Sequence, residues 1–153
     1  MNGTPEYEPI GDFKSTNPKD QAATFRLSLS LFPQTALVYG ALGMTEGHCK
    51  YGGYNYRVKG VSASTYIDAL LRHMVKYYNG EWADEKTHVP HLASMLACVA
   101  ILIDGHELGC LIDDRPPNAP MARLLDQFMG TVQHLFTIFP HTPGRYTNNR
   151  DQE

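Results

Sequence analysis

The sequence predicts an all-α fold, a helical bundle of about four main helices with disordered polar arms at both ends. Three observations predict it. Apolar residues recur at helical spacing through "SASTYIDALLRHMVKYYNGE", and "HLASMLACVAILID" is apolar nearly all round. A proline also stands at the head of three apolar stretches, at Pro33, Pro90 and Pro120, where a missing N–H costs a helix nothing.

Residues 1–24 are polar and rich in Pro, Gly, Asp, Asn and Lys, which reads as an arm with little structure of its own. "LSLSLF" alternates as a short strand would, but Pro33 follows it and points to a helix start at that residue. The first helix then places Leu37, Ala41 and Met44 on one face. Gly40, Gly43 and Gly47 each cost up to about 1 kcal/mol inside it, which close approach to a neighbouring helix would offset. In the second helix, Ser62 or Ser64 can cap the start, and Tyr66, Ala69, Leu70, His73, Met74 and Tyr77 follow at helical spacing. Asp68 and Arg72 form an i,i+4 pair of opposite charge, and Asn79-Gly80 supplies the stop. The third helix follows Pro90, and its apolar girth marks it as central. "LIDDRPPNAP" is a loop. A fourth helix follows Pro120 with Met121, Leu124, Leu125, Phe128, Val132, Leu135 and Phe136 inward, and Pro140 closes it. The organisation expected is a polar arm over 1–24, one helical domain over 25–140 and a polar tail over 141–153. So much apolar helical surface predicts a homo-oligomer, a dimer or tetramer.

Composition narrows the function. A net charge of −3 argues against duplex nucleic acid or an acidic membrane as partner, so an anionic ligand must be held by local cations. Cys49, Cys98 and Cys110 form no CxxC pair and no zinc-ligand spacing, which suggests reduced thiols in a cytosol. The longest apolar run contains His91 and falls short of the ~18–20 residues that a membrane span needs.

Two stretches carry chemistry. "KYGGYNYR" is too aromatic for a linker and too polar for a core strand. Gly52 and Gly53 allow a tight turn, and Tyr51, Tyr54 and Tyr56 offer flat faces and hydroxyls. Lys50 and Arg57 can meet phosphate, and Asn55 can read a base edge. Together they describe a nucleotide site, and an aromatic loop capping the bundle is the plain alternative. The second stretch begins at Arg72 and His73. Glu81, Asp84 and His91 gather beside His73 if the second and third helices are antiparallel, and such a cluster can hold a divalent metal; a solvated, turn-rich loop is the alternative. Cys98 reads as small core filler, and "DDRPP" serves equally as a rigid salt-bridged turn.

"NPKD" at 17–20, "KYGGYNYR" at 50–57, "STYIDALLRH" at 64–73, "GEWAD" at 80–84, "HLASMLACVAILID" at 91–104 and "DDRPP" at 113–117 stand in the order of a bacteriophage family. The chain resembles that family, labelled dATP/dGTP diphosphohydrolase, N-terminal domain. The resemblance implies a phage protein that handles purine nucleotides in the cytoplasm of the infected bacterial host, with the all-α nucleoside triphosphate pyrophosphohydrolases as the wider comparison. Those enzymes carry an ExxE helix followed by an ExxD helix to hold magnesium. Here the second helix has only Asp68 in its body, and the third only Asp104 at its end. Two expectations follow. One is a binding protein that sequesters a purine nucleotide or a cyclic (oligo)nucleotide defence signal and needs no cofactor. Its ligand contacts would come from Lys50, Tyr51, Tyr54, Asn55, Tyr56, Arg57, Arg72, His73 and His91. The other is a dATP/dGTP diphosphohydrolase that releases pyrophosphate with Mg or Mn held by Glu81 and Asp84.

Overall fold

In the computed structural model of the chain, residues 18–23, 26–145 and 147 are described. The chain is all-α. Its helices are α1 (Pro18–Ala23), α2 (Gln34–Tyr51), α3 (Asn55–Lys59), α4 (Ala63–Tyr78), α5 (His91–Glu107) and α6 (Met121–Ile138). Within the arm expected over 1–24, α1 is a short helix with Pro18 at its first position; residues 1–17 and 24, and 146 and 148–153 of the tail, lie outside the described residues. The alternating "LSLSLF" forms a single 3-10 turn at Leu29–Leu31 rather than a strand, and among the described residues no strand pairs with it. Pro33 has ψ 124°, outside the helical range, so it is the N-cap of α2 and not its first residue. Pro90 and Pro120 stand in the same position before α5 and α6.

The centre is α5, with α2 and α4 packed against it. Small residues make this possible. Ala93, Ser94, Ala97 and Cys98 are buried along α5, and Gly43 is the buried residue of α2. A Cβ at Gly43 would collide with the Ala93 carbonyl, so the glycine is what lets the two backbones meet; Gly47 has nothing near it. Burial in this core pushes the Cys98 thiol up and leaves it a packing residue.

Contacts at both ends of α4 fix its direction against α5. His73, near the end of α4, meets His91 at the start of α5. Val61 and Ser62, just before α4, pair in parallel with Leu111 and Ile112 just after α5, giving strands β1 (Val61–Ser62) and β2 (Leu111–Ile112). The two helices are therefore antiparallel, as their periodicity predicts. Neither serine's own hydroxyl caps α4. The Asp114 carboxylate does so from the far side of the chain, accepting from the Ser64 amide at 2.8 Å and its hydroxyl at 2.5 Å. These bonds hold the Asp114 carboxyl below the usual range.

The chain divides into two compact units at Asp114–Arg115. The second contains α6, and here the inward reading of its stripe fails. Met121, Leu125, Phe128, Val132, Leu135 and Phe136 are exposed, and Leu124 is half-buried. The amphipathic pattern is real, but among the described residues of that unit no second helix covers it.

Candidate functional site: a Glu–His–His relay around a buried histidine

The loop between α4 and α5 is built around its own backbone. Asn79 ends α4 with its side-chain amide donating to the Val75 carbonyl at 2.7 Å, and Gly80 takes φ 93°, a left-handed turn that favours glycine. Asp84 Oδ1 then accepts from the amides of Lys86 and Thr87, both at 3.0 Å, which holds its carboxyl below the usual range. The Asp84 amide donates to the Val89 carbonyl at 3.1 Å, and the His91 amide to the Trp82 carbonyl at 3.0 Å. This fixes Glu81 above the first turn of α5.

His91 is fully buried, and its ring lies between two partners. Its Nδ1 is 2.9 Å from Nδ1 of His73, and its Nε2 is 3.0 Å from Glu81 Oε1. The second contact is short but out of line with a ring N–H, so Nε2 lacks a well-formed hydrogen bond. The tautomers follow from the acid. Ionised Glu81 repels a lone pair and so favours Nε2–H on His91, which leaves His91 Nδ1 as an acceptor. His73 must then donate from Nδ1, and its Nε2 carries a free lone pair. Burial, with His91 beside it, holds the His73 pKa below its ordinary value and keeps the ring neutral.

Lysines surround the relay. Lys76 binds Glu81 at 2.9 Å and lies 4.0 Å from Asp84; its bond, with His91 next, keeps the Glu81 carboxyl below the usual range. From α2, Glu46 binds Lys50 at 2.7 Å and stands near Thr87, and its charge reaches His73. The arrangement can relay a proton: Glu81 orients His91, His91 orients His73, and His73 Nε2 is the basic end. A metal would need several of these donors on one point. Among the described residues no group of three or more His, Cys, Asp or Glu converges in that way. Glu81 is taken by Lys76, and one oxygen of Asp84 by two amides.

The structure thus gathers His73, His91 and Glu81, with Asp84 linked through Lys76 and Lys50 through Glu46. It places the rest of "KYGGYNYR" elsewhere. Tyr56 is buried, and its hydroxyl donates to Asp104 at 2.8 Å. Arg57 grips the same carboxylate at 2.7 and 3.1 Å and stacks over the Tyr54 ring at 4.5 Å. Asp104 lies thirteen residues beyond His91 on α5, about 20 Å at 1.5 Å per residue. Tyr51 is exposed at the end of α2, Asn55 begins α3 half-buried, and Arg72 is exposed on α4 beside His73. Sequence reasoning passed over Glu46, Lys76 and Thr87. For Glu46 a signal existed, the i,i+4 spacing to Lys50; for Thr87 none did.

The family described as dATP/dGTP diphosphohydrolase, N-terminal, matches residues 16–115. The chain belongs to this family. The match ends where the first compact unit ends and takes in every residue of the relay. Comparisons with curated proteins and with solved structures gave no match. Among the described residues, no helix is long and apolar enough to cross a membrane.

Proposed function

We propose that the first unit acts on purine deoxynucleoside triphosphates, with His73 as general base. The family's name supplies the substrate class, dATP and dGTP. The observation that carries the chemistry is the fully buried His91, whose ring lies between Glu81 at 3.0 Å and His73 at 2.9 Å. In this reading water attacks the α-phosphorus, and His73 Nε2 takes its proton as the new P–O bond forms. The bond from the α-phosphorus to the bridging oxygen breaks, giving a nucleoside monophosphate and pyrophosphate. The Glu46 charge, which reaches His73, favours the imidazolium that forms there. Lys76 and Arg72, whose charges reach His73, are cations available to the phosphates, Lys76 once its carboxylate partner yields.

A second reading is retention of the nucleotide without cleavage. It is favoured by the engagement of Glu46, Glu81 and Asp84 with lysines or amides, which a metal would have to displace. One incubation separates the two. Purified protein is mixed with dGTP, dATP or a cyclic dinucleotide panel, with and without Mg²⁺ or Mn²⁺, and the mixture is chromatographed. Monophosphate and pyrophosphate support hydrolysis. Intact nucleotide recovered only after denaturation supports retention, and no interaction with any of them refutes both.

A further inference from the structure

Trp82 is the chain's single tryptophan and follows directly after the relay carboxylate Glu81. Its indole is 53% exposed, unusual for a residue whose neighbours are so firmly placed. Its backbone is fixed by the bond from the His91 amide, so the ring stands on a rigid part of the loop. Two tyrosines flank it: Tyr39 of α2 at 6.4 Å and 79°, and Tyr77 of α4 at 6.2 Å and 54°. Neither ring is parallel to the indole, so among the described residues no aromatic ring lies flat against it. A large flat apolar surface, rigidly held, half exposed and beside the acid–base groups, is what a nucleobase needs.

We infer that Trp82, held between Tyr39 and Tyr77, is the stacking platform for the purine base of the nucleotide. This rests on the nucleotide reading above and adds the element that selects the base. A purine covers more of the indole than a pyrimidine does, so the preference for dATP and dGTP arises here, while the phosphates extend towards Lys76 and the relay. Tyr39 and Tyr77 touch the indole and not the base; they are positioning residues.

The test uses the full chain and dGTP or dCTP analogues with an α,β-methylene bridge, so that cleavage does not intrude, with inorganic tripolyphosphate as the base-free probe. Trp82 emission and calorimetry are recorded together. The dGTP analogue should quench the single tryptophan, and tripolyphosphate should bind without quenching. Trp82→Ala should weaken the dGTP analogue roughly 5- to 150-fold and leave tripolyphosphate unchanged. Trp82→Phe, which keeps a ring against both tyrosines, should lose less, and this guards against a mere folding defect. If calorimetry shows the analogue binding the parent and Trp82→Ala equally, with emission unmoved, the platform is refuted and the nucleotide reading stands. If neither analogue nor tripolyphosphate binds the parent, the nucleotide reading itself fails and takes this inference with it.

Discussion

Gly43 and Gly47 lie one helical turn apart on α2, and alanine should act on them with opposite sign. In a helix interior, Gly→Ala gains up to about 1 kcal/mol, because alanine has less freedom to lose on folding. At Gly47 a new Cβ meets nothing within 4 Å, so the full gain should appear. At Gly43 the Cβ would collide with the Ala93 carbonyl and lie 3.0 Å from the Ala97 Cβ. Backbone cannot rotate aside as a side chain can, so α2 must lift away from α5, a distortion that typically costs about 1–3 kcal/mol. Set against the propensity gain, Gly43→Ala should be net destabilising by up to about 2 kcal/mol. The shift also has a functional reach, because Glu46, one turn further along, sits against Thr87 and the relay. Urea unfolding of both variants is the assay, with midpoints moving in opposite directions at an unchanged slope. If both variants are stabilised alike, α2 and α5 do not meet as described, and the placement of Glu46 falls with that contact.

Arg57→Ala and Asp104→Asn should each lower the melting temperature, and the double variant should lose little more than either, since they share one contact. A fall in nucleotide affinity at unchanged melting temperature would instead make Arg57 a ligand contact. Asp114→Ala should lower the melting temperature by uncapping α4, with Asp114→Asn milder, read by circular dichroism. Because folding lowers the His73 pKa, the unfolded chain binds the extra proton first. Stability should therefore fall as pH drops from about 6.5 towards the folded value, above the carboxylate range, and His73→Gln should lose that slope in thermal melts between pH 8 and 5. Exposed apolar residues such as Leu37, Val38, Met74, Val75, Leu125 and Phe128 predict self-association, so light scattering should give a multiple of 17.1 kDa; a constant monomer mass would refute it.

The four long helices were legible because their periodicity, proline starts and the Asn79-Gly80 stop are local properties; the short α1 and α3 carry no such periodicity. The antiparallel pairing of α4 and α5 was legible too, and with it the meeting of His73, Glu81 and His91. What stayed hidden depends on distant partners. Asp104 draws in Tyr56 and Arg57 from nearly fifty residues away, so two side chains suited to a ligand also hold a contact within the fold. Asp114 caps a helix fifty residues earlier, a role no local pattern announces. The stripe on α6 was read correctly as apolar and wrongly as inward, since periodicity tells which face is greasy but not whether anything covers it.

The most direct test of the relay is the pH dependence of kcat/KM for dGTP, measured on the parent and on His73→Ala. The account predicts that the parent's activity falls on the acid side with a pKa below the ordinary histidine value, as the base protonates. It predicts for His73→Ala a loss of about 10²–10⁴-fold and the disappearance of that acid limb, with the fold intact by circular dichroism. A His73→Ala protein that cleaves dGTP at the parent's rate, with the same acid limb, would contradict it.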